Sequence, residues 1–137
     1  IESIGDLAFN GCSSLKFIEI PNSVKTIGVS AFNNCSALTS LAIPNDVSII
    51  SNTAFKGCSS LETITFSNNV TEIGQYAFED CTSLKSIFIP SSVTFIGTYA
   101  FNNCINLHIN CEAPDEPKEW DRSWNPSNCF VTWGVKN

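Results

Sequence analysis

The chain has no methionine, one histidine, two tyrosines and only seven basic residues among 137. Charge is scarce at 15%, and acid outweighs base to give a net charge of −6. A nucleic-acid binder carries a basic stripe, so a nucleic-acid partner is not expected. The same deficit argues against an anionic membrane surface. Apolar runs last a few residues only, too short to cross a bilayer, so membrane insertion is not expected either. His108 has no nucleophile or acid near it in sequence, and reads as structural. Gly-rich phosphate loops and G-x-S-x-G elbows are missing. The acids Glu112, Asp115, Glu116, Glu119 and Asp121 crowd the tail without the D-x-D-x-D-G spacing of a calcium loop, and read as a solvated acidic segment. These absences leave no catalytic residue, metal or cofactor to expect. No signal peptide is legible. Ile1 falls in the register of Val24 and no Met is present, so a fragment or processed product is expected, its first repeat covered by further repeats or another domain.

What is present is periodic. Phe9, Phe32, Phe55, Phe78 and Phe101 recur every 23 residues, as do Ala8, Ala31, Ala54, Ala77 and Ala100, and Cys12, Cys35, Cys58, Cys81 and Cys104. A fixed period of this size is the mark of a solenoid. Hydrophobic content of 43% is ordinary for a folded chain. Within a repeat, Ala31, Phe32 and Cys35 stand three, four and seven residues after Gly28, a helical stripe. Gly28 and its equivalents Gly5, Ser51, Gly74 and Gly97 suit an N-cap. Ser51 speaks against a positive φ there. The residue before each Cys is Gly11, Asn34, Gly57, Asp80 or Asn103, types that tolerate the left-handed conformation that stops a helix. A short helix closed at that point is the expectation, too short to survive alone. Leu41 and Ile43 then alternate with Ser40 and Ala42 in a short strand ended by Pro44. Asn45 and Asp46 turn the chain, and Val47 and Ile50 face inward. One repeat cannot bury eight apolar positions, but stacking buries them as ladders.

The pattern I-G-x-x-A-F-x-x-C-x-x-L-x-x-I-x-I-P-x-x-V resembles the BspA-like leucine-rich repeat family across residues 1–107. Departures are Ser51 for Gly, Ser67 for Pro and Phe66 for Ile. The resemblance implies an α/β repeat fold: a right-handed solenoid of five 23-residue turns, with short parallel strands on one face and short helices opposite. It implies a bacterial secreted or cell-surface protein, and a non-enzymatic adhesion or protein-binding role.

The repeat breaks after Leu107. Ile109 and Cys111 follow it one residue too early, which leaves His108 in an irregular part. Residues 108–137 are expected to cap the same domain, with Phe130 to Trp133 adding a strand beside Ile109 to Cys111. The Trp rings should cover Phe101 and Leu107. The tail resembles the C-terminal cap of some family members. The five ladder cysteines are expected to be free, since stacked side chains point the same way. For Cys111 and Cys129, outside the period, a disulfide tying cap to stack and two packed free thiols both stay open.

The strand face is the candidate site. Its outward residues are Phe17, Glu19, Ser40, Ala42, Thr63, Thr65, Ser86 and Phe88, a small neutral floor with an aromatic near each end. Concave repeat surfaces and exposed aromatics are common anchors. A protein or glycan on a host or neighbouring cell is the expected partner, met by a monomer. The alternative is a stalk that displays another domain. Tyr76, Phe95 and Tyr99 form a second possible patch.

Overall fold

The structure is a computed structural model that describes residues 1–136; Asn137, the last residue assigned to the cap, lies outside them. Ten short strands follow in order: β1 Ser3–Ile4, β2 Thr26–Ile27, β3 Ser40–Ala42, β4 Ile49–Ile50, β5 Thr63–Thr65, β6 Glu72–Ile73, β7 Ser86–Ile89, β8 Phe95–Ile96, β9 His108–Cys111 and β10 Phe130–Thr132. All pairings are parallel. Ser40 faces Thr63 and Glu72 faces Phe95, each 23 residues on. Two strips of strand result. One contains β3, β5, β7, β9 and β10; the other contains β1, β2, β4, β6 and β8. The second strip escapes the sequence reading because each of its strands is only two residues long.

The core is the set of ladders. Phe32, Phe55, Phe78 and Phe101 are fully buried, with the Ala, Cys, Leu and Ile ladders around them. Neighbouring Phe rings stack nearly parallel, 5.2–5.6 Å apart. Parallel strands repeat at about 4.8 Å, so a ring in each turn meets the next in offset stacking.

The expected helices are absent among the described residues, and the hydrogen bonds show why. Ala31, Asn33 and Cys35 donate three residues back, to Gly28, Ser30 and Phe32, at 3.1–3.2 Å. The intervening Ser30, Phe32 and Asn34 donate instead to the next turn, to Asn52, Ala54 and Lys56, at 3.1, 2.9 and 2.7 Å. A helix would send every N–H four residues back within its own turn. A helix this short forms few such bonds. Here alternate amides close tight turns while the others stitch one turn to its neighbour. The residue before Cys does take positive φ, at Gly11, Asn34, Gly57, Asp80 and Asn103, in keeping with its composition. So does the residue four earlier: Leu7, Ser30, Thr53, Tyr76 and Tyr99. Positive φ at a β-branched residue is unusual, and Thr53 offsets it with hydroxyl contacts to Ser30 Oγ and the Asn52 carbonyl. Gly97 answers a different demand: a Cβ there would lie 2.6 Å from the Gln75 backbone nitrogen in the turn before. At the third turn Ser51 fills that position and its hydroxyl donates to the Ile27 carbonyl at 2.6 Å.

The cap is laid down as a further turn. Trp124 stands 23 residues after Phe101 and meets its ring edge-on at 6.1 Å. Trp120 and Trp124 are buried, and Trp133 packs on both. β10 pairs with β9 as expected, Phe130 opposite His108 and Thr132 opposite Asn110. The acids are not merely solvated. Glu112 accepts the Ser91 amide, which holds its carboxyl below the ordinary value. Glu116 accepts Trp124 Nε1, and Asp121 accepts the Ser123 amide.

All seven cysteines are free. The disulfide considered between Cys111 and Cys129 is not formed. Cys129 instead extends the thiol ladder, its Sγ donating to the Cys104 carbonyl at 3.3 Å. Cys35, Cys58, Cys81 and Cys104 donate to the carbonyls of Phe9, Phe32, Phe55 and Phe78 at 3.1–3.2 Å. Each thiol must keep its proton to do so. Burial, then repulsion from Cys35, pushes the Cys58 thiol from 9.0 to about 12. Burial, then Cys129, pushes Cys104 to about 12.

Two outcomes follow. Phe55→Ala should lower unfolding free energy by about 3–5 kcal/mol in urea titration, and Phe9→Ala, half-buried at the open end with one ring neighbour, should cost less. The folded thiols are protonated where unfolded ones ionise, so stability is complete below pH 9.0 and falls as pH rises from there towards about 12. Pulse alkylation at about pH 8 should label Cys58, Cys81 and Cys104 only in urea-unfolded protein.

Candidate binding face

The strip containing β3 to β10 sends alternate side chains inward and outward. Inward go Leu41, Ile43, Ile64, Ile87, Ile89, Ile109 and Cys111, all buried. Outward the structure builds two columns. The first runs Phe17, Ser40, Thr63, Ser86, His108, Phe130, and the second Glu19, Ala42, Thr65, Phe88, Asn110, Thr132. β3 pairs with β5, and β7 with β9 and β10, while β5 and β7 lie side by side in separate sheets.

All eight residues picked from sequence lie on these columns. Phe17, Glu19, Ser40, Ala42, Thr63, Thr65 and Ser86 are exposed. Phe88 is half-buried and lies within the face, not near its end, because two further rows follow it. A shallow depression of about 680 Å³ lies at the N-terminal part, lined among others by Phe17, Ser40, Ala42, Thr63, Thr65 and Phe66. Ser86 and Phe88 are not part of its wall.

Four residues of the face were missed: His108, Asn110, Phe130 and Thr132. The pairing offset falls from 23 to 22 at β7–β9 and stays 22 at β9–β10. A reader who keeps to 23 loses the register by one, which turns every side chain to the other face. His108 is therefore not in an irregular part. It opens β9, half-buried, with its ring 4.9 Å from that of Phe130 and Nε2 2.7 Å from Thr132 Oγ1. Phe130 is 69% exposed, as is Phe17. The signal that could have found them is the one missing residue after Leu107, carried forward into the cap.

The second patch is smaller. Tyr76 and Tyr99 meet edge-on at 5.7 Å, with Lys56 Nζ 5.7 Å above the Tyr76 ring. Lys56 is itself paired with Glu79 at 3.2 Å, and Asn102 donates to the same buried carboxylate at 2.8 Å. These contacts make this side part of the stack's own framework. Among the described residues no group of His, Cys, Asp or Glu is placed to hold a metal ion, and no helix is long and apolar enough to cross a membrane.

Comparison with known proteins agrees with this architecture. The BspA type leucine rich repeat region matches residues 1–108 in six copies. No curated protein matches the chain. Among solved structures, a leucine rich cell surface protein of Faecalibacterium prausnitzii A2-165 is 39% identical with a TM-score of 0.80, over 85% of this chain and 31% of that one. A leucine-rich repeat protein of Bacteroides ovatus ATCC 8483 is 38% identical with a TM-score of 0.79, over 88% and 30%. The leucine rich repeat protein of T. pallidum is 36% identical with a TM-score of 0.78, over 80% and 52%. The chain thus spans about a third of the first two relatives and half of the third. With the ladders, the parallel strips and these matches together, the chain belongs to the family of BspA type leucine rich repeat proteins.

Proposed function

We propose that this chain is a non-enzymatic binding module of a cell-surface or secreted protein, and that it meets its partner through the strand face. One observation carries the reading. A rigid two-column surface, backed by a fully buried core, leaves a Phe ring 69% exposed beside an open depression of small side chains. Exposed aromatic rings on a rigid support make strong contact anchors at little entropic cost. The surface assignment is supported by the Faecalibacterium prausnitzii relative, a cell surface protein. Turnover chemistry has no support: the buried thiols stay protonated and donate to carbonyls.

The test is adherence of the purified chain to epithelial cells and to laminin-rich matrix. Phe17→Ser combined with Thr63→Arg changes only exposed positions, so melting behaviour should be retained. Binding should fall at least about tenfold, the equivalent of 1.4 kcal/mol. Unchanged binding by the folded variant, or no binding by either protein, would remove this reading in favour of a spacer that displays another domain.

A further inference from the structure

Resting on the strand-face reading above, we propose that the ligand is a neutral, hydroxyl-rich glycan chain, laid along the two columns between Phe17 and the His108–Phe130 pair.

The hydroxyls supply the first reason. Around the rest of the coil, Ser and Thr side chains are committed to the neighbouring turn. Ser51 donates to the Ile27 carbonyl, Ser92 to Val70 and Thr94 to Thr71, while Ser30 and Thr53 bond to each other. Ser40, Thr63, Thr65 and Ser86 have no such side-chain partner among the described residues. They are exposed, on strands fixed by the core, and each hydroxyl can both donate and accept. A surface of uncommitted, preorganised hydroxyls suits a ligand that offers the same groups in return.

Charge supplies the second. Glu19 is the only charged residue in either column. The residues just before the first column are Lys16, Thr39, Glu62 and Lys85, so flanking charges alternate in sign. An acidic or sulfated ligand would meet no basic cluster, and a cationic one no acidic cluster.

The ends supply the third. Phe17 closes one end and Phe130, stacked with His108, the other. Five steps of about 4.8 Å separate them, so the floor is roughly 24 Å long. The C–H faces of sugar rings pack on aromatic rings while their hydroxyls stay free for the floor, the division of labour expected of a site with few aromatic walls and placed polar groups. A protein partner fits less well, since the cores of protein interfaces are rich in Tyr, Trp, Met and Arg and poor in Ser.

The experiment is calorimetry of the whole chain with soluble neutral oligosaccharides of gluco-, manno-, xylo- and galacto-configuration. A sulfated glycosaminoglycan fragment and laminin, intact and enzymatically deglycosylated, are run beside them. At least one neutral oligosaccharide should bind. Phe130→Ser should weaken it about threefold to tenfold, as expected for one aromatic contact. Thr63→Lys should weaken it similarly, and Phe95→Ser, an exposed ring off the face, should leave it unchanged. No neutral oligosaccharide bound, or binding of the sulfated fragment alone, overturns the inference. Deglycosylated laminin bound as well as the intact protein, and lost on Phe17→Ser, overturns it too while leaving the strand-face reading in place. Insensitivity of all binding to Phe17, Thr63 and Phe130 overturns both.

Discussion

Everything in this molecule depends on one constraint: a turn of the coil cannot satisfy its own backbone. Half of the amides in the segment after Gly28 find carbonyls only in the adjacent turn. Buried backbone groups left unpaired are costly, so each turn must lie in register on the next. Register then dictates side chains. Identical residues come face to face, Phe on Phe and Cys above the Phe carbonyl of the preceding turn. A thiol suits that place because it is small, apolar in bulk and able to donate one weak hydrogen bond.

The inward half of this logic was readable from the chain. The Phe, Ala and Cys spacings named the ladders, and Gly11, Asn34, Gly57, Asp80 and Asn103 announced one left-handed position. The other left-handed position holds Leu7, Ser30, Thr53, Tyr76 and Tyr99, which share no property that favours it. The strain is imposed by the stack, so composition does not reveal it. The helical stripe of Ala31, Phe32 and Cys35 misled for a related reason. Spacing reports which residues face inward, and a chain of tight turns points the same residues inward as a helix does. Only the destination of the amide of Phe32, its own turn or the next, separates the two.

The outward half was less legible. Eight residues of the strand face followed from alternation, but His108, Asn110, Phe130 and Thr132 were hidden by a single deleted residue. The same deletion obscured the cap, where Trp124 takes the place of the ladder Phe and Cys129 that of the ladder Cys. A cap residue need only match the exposed end of the stack, so the period survives there in one ring and one thiol. Because stacking fixes the inward positions and ignores the outward ones, the two columns are free to vary without cost to the fold. Recognition belongs on such a surface, whatever ligand it takes.

Amide hydrogen exchange at Phe32, Phe55 and Phe78 addresses the central claim directly. Their N–H groups donate to Ala54, Ala77 and Ala100 of the following turns. They should exchange only through global unfolding, with protection that matches the unfolding free energy from urea titration. Rapid exchange at these three amides in the folded protein would mean that the turns are not joined to one another, and the account would fail.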